Sequence, residues 1–251
     1  MPKTTTAARA GRSAQLRQEI LQHRAAERRR ERDAVVMAVL ATVPLATYAL
    51  ARSGMSRLEA VGIVGFASIL LLAWRRGAAE RDREEAGRWG AGAAGERSTA
   101  AVLDALDRKR FAVFHDVRVP GRRENIDHVV IGRGGVVVVE TKRWAGVTVV
   151  GRHVRVDGER RDDVRSQVER LRATLGRAVG SGVDGFVCIH GSRVRRAWFR
   201  RRCELDGVRY GGPDDLVRWL KRRRRTLTPA EAEELAWAVA GFDLESSRTD
   251  S

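Results

Sequence analysis

The 251-residue chain is short of cysteine and histidine, and each shortage closes off a class of protein. Only Cys188 and Cys203 are present, too few for a disulfide scaffold. Five scattered histidines and two cysteines make no zinc-type spacing. No period of about twenty to fifty residues recurs, which excludes a repeat array. Acids are also outnumbered: 48 Lys+Arg stand against 32 Asp+Glu, a net charge of +16. That balance suits work against polyanions, either nucleic acid or anionic lipid. Apolar residues are not lacking, and at 43% they exclude a wholly disordered chain.

The charge is unevenly laid out. Residues 1–33 carry nine basic and four acidic side chains, a net of +5, and form a basic N-terminal arm without an apolar stripe. This arm reads as a solvated helix or disordered segment, or as a contact for anionic lipid. Residues 34–74 contribute only +1, so +10 belongs to 75–251. The basic character is therefore shared by the C-terminal module.

Residues 34–51 run eighteen positions without a charge, about 27 Å of helix, close to a bilayer core. A second apolar run over 58–74, broken by Glu59, is shorter and needs its flanks or a thin bilayer. With the connector between them these runs predict a transmembrane helical hairpin over 34–76. Arg28, Arg29, Arg30 and Arg32 precede it, and Arg75, Arg76, Arg81 and Arg83 follow it. The positive-inside rule then puts both termini in the cytoplasm, as a multi-pass protein of the cell membrane. Two other readings exist. Ala49-Leu50-Ala51 resembles a leader cleavage site, but the preceding basic stretch is long for a signal peptide. The runs could also be core helices of a soluble domain. Residues 77–94, small, polar and glycine-rich, read as a linker with a helical first half.

From 95 to about 245 the pattern is that of an α/β domain with a mixed central sheet flanked by helices. A helix is expected over 96–110 and a strand over 111–119. Two valine-rich strands, 126–131 and 136–141, follow, joined by Gly132-Arg133-Gly134-Gly135. A short hairpin over 147–156, a helix over 164–179 and a strand over 183–190 come next. Basic residues fill 193–203, a short strand covers 208–210, and helices over 214–224 and 229–242 close the module. The last opens on Thr228-Pro229-Ala230-Glu231, a capping box.

The chemistry concentrates in the valine-rich hairpin. A two-residue turn at Arg133-Gly134 sets Asp127 directly across from Glu140, and strand alternation puts Lys142 on the same face. Two carboxylates so placed repel unless a cation lies between them. A divalent ion such as Mg²⁺ takes oxygen ligands and keeps positions for water and phosphate oxygens. Glu96 and Gln167 are polar residues on stripes otherwise apolar, which suits either structural hydrogen bonding or lining of the same site.

The ordered set Gly95-Glu96, Asn125-Ile126-Asp127-His128, Gly135-Val136, Glu140-Thr141-Lys142, Trp144, Gly146 and Gln167 resembles the nuclease-related domain (NERD). That family is grouped with the PD-(D/E)xK restriction-endonuclease-like fold. The resemblance implies metal-dependent phosphodiester hydrolysis by an endonuclease using Mg²⁺ or Mn²⁺. Asp127 and Glu140 would be the metal ligands, Lys142 the catalytic lysine, Glu96 an accessory acid and Gln167 a site-lining residue. One departure from the family pattern is Arg161-Asp162-Asp163-Val164, where an Asn/Pro stretch is expected before the glutamine.

Other residues have blander readings. His128 turns to the face opposite Asp127 and reads as a structural partner. Trp144 suits either base stacking or packing, and Cys188 reads as a small buried hydrophobe. Arg195, Arg196, Arg200 and Arg201, with Lys221 and Arg222, are candidates for a phosphate track on nucleic acid. The alternative to an enzyme is a catalytically silent nucleic-acid-binding module tethered to the membrane; a third is a membrane protein whose basic arms serve lipid association. Nothing in the sequence points to a particular protein partner.

Overall fold

The computed structural model describes residues 12–52, 56–120, 124–198 and 203–249. The chain divides into two compact units, one of Ala14–Gly90 and one formed mainly by Ala91–Ser251.

The first unit is helical. Helix α1 spans Arg12–Arg52 and helix α2 Arg57–Asp104. Pro44 lies inside α1. Among the described residues one stretch, Asp33–Leu50, is long and apolar enough to cross a membrane, while Val61–Leu70 is apolar but shorter. Met37, Leu45, Tyr48, Phe66 and Ile69 are each more than half exposed. Residues 77–94, expected as a linker, are helical throughout and belong to α2. Alanine, glutamate and arginine hold the helix, and the interspersed glycines cost about 1 kcal/mol each without ending it.

The second unit is a mixed α/β domain, as its pattern predicts. Its main sheet has the order β1-β2-β3-β7-β10-β9. Strands β1 (Phe111–Arg118), β2 (Asn125–Gly132) and β3 (Gly135–Arg143) form an antiparallel meander. β7 (Val183–His190) and β10 (Val208–Gly211) continue it in parallel, and the two-residue β9 (Glu204–Leu205) closes the edge. A smaller sheet, β6-β5-β4-β8, is built from β4 (Val147–Val150), β5 (Val154–Val156), β6 (Glu159–Arg160) and β8 (Arg193–Arg196).

Both faces of the main sheet are covered, which is why β3 reads as an unbroken valine run rather than an alternating one. On one face Leu171 and Leu175 of α3 (Asp162–Val179) and Ala236 and Val239 of α5 (Pro229–Thr249) pack on Val129, Val136 and Val138. On the other, Leu103 of α2 and Leu216 and Leu220 of α4 (Pro213–Arg222) pack on Val130, Val137 and Val139. Truncating a fully buried member such as Leu175 to alanine costs about 2–5 kcal/mol.

Local signals set the ends of these helices. Asp162 and Asp163 occupy the first turn of α3, where the helix dipole favours acids, and Gly180 ends it with φ +63° and a bond to Gly176 O. The expected capping box of α5 forms, with Thr228 N donating to Glu231 Oε2 at 2.7 Å and Glu231 N to Thr228 Oγ1 at 3.2 Å. One glycine fixes a packing distance. A Cβ at Gly185 of β7 would lie 2.6 Å from Val168 Cγ1 and 2.8 Å from Arg172 Cδ, so α3 seats on bare backbone.

Candidate active site

The β2–β3 hairpin turns on Arg133-Gly134, pairing Gly132 with Gly135 and, further along, His128 with Val139. Continued by one residue, that register sets Asp127 across from Glu140. The backbone N–H of Thr141 donates to Asp127 Oδ2 at 2.7 Å, tying the aspartate to β3. Since β3 also pairs with β7, Glu140 and Lys142 stand on an interior strand opposite Val187 and Ile189.

Lys142 Nζ donates to Glu140 Oε1 at 2.7 Å and to Gln167 Oε1, on α3, at 3.2 Å. The Glu140 side chain is 3% exposed and that of Lys142 26%. The second carboxylate oxygen, Glu140 Oε2, is buried without a hydrogen-bond partner. An orphaned anionic oxygen in this setting is costly, and such groups are rare in folded proteins.

The electrostatics show how closely the acids converge. Burial raises the Glu96 pKa to about 7, and the charges of Asp116 and Glu140 push it the same way. Burial also holds Asp127 well above the usual carboxylate range, with Glu140 and Glu96 adding to it. Glu140 is raised by burial, moderated chiefly by the charge and hydrogen bond of Lys142. Burial alone would lower Lys142, but the charges of Glu140 and Asp127 outweigh it and the net shift is upward. Four carboxyl groups and one ammonium are thus linked electrostatically.

Among the described residues no group of three or more His, Cys, Asp or Glu side chains is drawn together as a ready-made metal cage. Mg²⁺ does not need one: one or two carboxylates, with waters and phosphate oxygens, complete its octahedron. An all-oxygen donor pair with one oxygen unpartnered fits such an ion.

The other face of the same strands is polar too, but fully paired. His115 Nδ1 and His128 Nδ1 are 2.8 Å apart, with the rings edge to face. His115 Nε2 lies 3.1 Å from Asp104 Oδ1, and His128 Nε2 lies 3.2 Å from Thr141 Oγ1. Thr141 Oγ1 donates to Thr99 Oγ1 at 3.0 Å, and Thr99 Oγ1 is 2.8 Å from His190 Nε2. Burial lowers the pKa of His115, His128 and His190, which favours their neutral forms. The chain ties α2 to β1, β2, β3 and β7 directly behind the carboxylates.

A family model of known proteins, that of the nuclease-related domain, matches residues 91–199. This segment is a nuclease-related domain. A 58-residue stretch is also 45% identical to an uncharacterized protein of Bacillus anthracis, covering 22% of this chain and 27% of that one. The chain thus spans about a quarter of the length of that relative. No solved structure matches at a significant level.

Glu96, Asp127, Glu140, Lys142 and Gln167 all lie inside the nuclease-related domain, and the structure gathers them. Asp116 joins them without having been singled out by sequence. It sits at φ +52° on β1 between His115 and Val117, whose partners His128 and Ile126 flank Asp127, and accepts a bond from Asn125 Nδ2 at 2.9 Å. Trp144 is packed beside the small sheet, its N–H bonded to His190 O at 3.0 Å. Cys188 is buried, which pushes its thiol up to about 12. The basic candidates lie elsewhere: Arg195 and Arg196 are exposed on β8, and Lys221 and Arg222 are exposed at the end of α4, beyond the matched segment. Arg200 and Arg201 fall outside the described residues.

Proposed function

We propose that the protein is a membrane-anchored, metal-dependent nuclease that hydrolyses phosphodiester bonds of DNA or RNA. The observation that carries this reading is the buried, unpartnered Glu140 Oε2 beside Asp127 and Lys142. A fold maintained for binding alone gains nothing from four converging acids on a basic surface.

In this reading Asp127 and Glu140 hold Mg²⁺ or Mn²⁺, which supplies Lewis-acid polarisation of the phosphate and a more acidic water. Lys142, held between Glu140 and Gln167, orients the attacking water and offsets the charge that grows on the phosphate. Glu96, titrating at about 7, is poised to take or return a proton near neutrality. Gln167 positions the lysine from α3.

The anchor in this proposal is the hairpin of 34–51 and 58–74, with both termini cytoplasmic and the 1–33 arm against anionic lipid. Its support is the length of Asp33–Leu50 and the bare apolar side chains along α1 and α2, which water would not tolerate as a contiguous surface. A second reading, a silent nucleic-acid-binding module, is favoured by one observation: Lys142 already occupies Glu140 Oε1, and no three-ligand group is preformed among the described residues.

The test uses the full chain in detergent micelles with labelled DNA and RNA and either Mg²⁺ or Mn²⁺. Cleavage that disappears in Glu140→Ala and Lys142→Ala supports the enzyme. Binding without cleavage in the wild type selects the silent module, and cleavage unchanged in both variants rejects the assigned site.

A further inference from the structure

The sequence offers two basic runs, one around β8 and one at the end of α4, and the described parts of both border a single groove. A cavity of about 930 Å³ runs along α4 at the β10 edge of the main sheet. Arg209, Arg218, Arg222, Arg223 and Arg224 line it beside Trp219, against one carboxylate, Asp215. Arg196 of β8 stands close enough to act electrostatically on Cys203, which also lines the groove.

The groove is built rather than incidental. Arg223 stacks over the Trp219 ring at 4.7 Å and Arg209 at 5.3 Å, while Phe186 packs against the same indole at 5.3 Å. Arg223 Nε also donates to Gly134 O at 2.9 Å, and a Cβ at Gly134 would meet Arg223 Cβ at 2.7 Å. The hairpin turn therefore needs glycine to let this arginine dock. Arg209, Arg218 and Arg223 have acidic partners in Glu204, Asp215 and Asp184. Arg222 and Arg224 are exposed and have no carboxylate partner among the described residues.

From Asp215 to Arg222 the lining follows eight residues of α4, about 10 Å of helix rise, and Arg223 and Arg224 continue it past the helix end. A row of cations of that length matches a run of phosphates, about three nucleotides of one strand at 3.4 Å each along the helix alone, better than one compact anion. Trp219 is already covered by guanidinium groups and Phe186, so the groove offers charge and no free aromatic platform for bases.

We propose that this groove binds the phosphate backbone of nucleic acid without regard to sequence, as a holding site separate from the carboxylates. It rests on the nucleic-acid substrate proposed above but not on cleavage. Arg222 and Arg224 contact the phosphates, while Arg209 and Arg223 act as fixed struts.

The experiment measures binding of a fluorescein-labelled oligothymidylate to the full chain in micelles with EDTA, so that nothing is cut. Arg222→Gln/Arg224→Gln should weaken binding by about tenfold or more at 0.1 M salt, and loss of two contacts should flatten the log–log salt slope by about 1.4. Arg108→Gln/Lys109→Gln, equally exposed and not among the groove's lining residues, should leave both within twofold. Equal losses in the two double variants, or none in the first, would overturn the inference. So would inorganic tripolyphosphate competing as well as DNA of matched charge, or binding confined to vesicles of anionic phospholipid. Wild type that cuts nucleic acid while Arg222→Gln/Arg224→Gln binds normally defeats the groove and leaves the nuclease standing. Wild type that binds no oligonucleotide defeats both.

Discussion

Strands β2 and β3 carry polar groups on both faces, and the two sets are treated in opposite ways. On the α3 face stand Asp127, Glu140 and Lys142, within electrostatic reach of Glu96 and Asp116; three acids have raised pKa values, and Glu140 Oε2 has no partner. On the α2 face, Asp104, His115, His128, Thr141, Thr99 and His190 form a chain in which each link is a hydrogen bond. One residue step separates Glu140 from Thr141 and Asp127 from His128. Full pairing makes the second set a structural brace. Incomplete pairing and mutual repulsion set the first apart, and the metal proposed above would relieve both.

The largest effect that would sharpen this contrast is on chemistry. Glu140→Ala and Lys142→Ala should each reduce cleavage at least about 100-fold, measured by single-turnover digestion. The metal-free Glu140→Gln variant should nonetheless melt no lower than wild type, because it removes a repelling buried charge. A clear drop in its melting temperature would mean the acids are a brace as well.

The brace itself should respond next. His128→Ala removes contacts on both sides of a fully buried ring and should cost about 2–4 kcal/mol in urea unfolding. Thr141→Val strips one partner each from His128 and Thr99 and should cost about 1–3 kcal/mol. Loss of less than about half a kilocalorie in either variant would remove the distinction between the faces.

The faces also differ in the sign of their pH dependence. Glu96 has a folded pKa raised above its unfolded value, so its contribution favours folding at low pH and is lost as pH rises through about 7. The histidines, lowered on folding, do the reverse: the unfolded chain gains their protons as pH falls through about 6.5. Asp162, held at about 2 chiefly by its hydrogen bonds to Arg160 and Val154 against the pull of burial, is constant in this window. In EDTA, Glu96→Gln should therefore gain on wild type by a few degrees of melting temperature between pH 6 and pH 8. A difference flat with pH would contradict the assignment. The smallest change is expected at the rim, where Asp104→Asn keeps an acceptor for His115 and should cost under about 1 kcal/mol.

The carboxylate face was legible in the sequence because the hairpin has a short glycine turn and a period of two. Together these pin the register, and with it the partners of Glu140. Glu96 and Gln167 stood out because each interrupts an apolar helical stripe. The brace was not legible as a unit. Its three histidines sit on three different strands, and only the order β1-β2-β3-β7 brings them into line. Asp116 was hidden because the loop before β2 does not fix how β1 pairs. The helical course of 77–94 was hidden because glycine content argued for a break, while the alanine, arginine and glutamate between the glycines decided otherwise. The groove along α4 depends on Arg209 and Trp219, which meet only through the β10–α4 packing.

Gly185 extends the consequences of packing into the site. Because β7 presents no side chain there, α3 lies close to the sheet, and Gln167, one residue before Val168, reaches Lys142. Any larger residue at 185 would act as a shim, lifting the helix and opening a gap above the lysine. The grip on the Lys142 ammonium is thus gauged by a missing methyl group on the neighbouring strand, in a residue with no chemistry of its own.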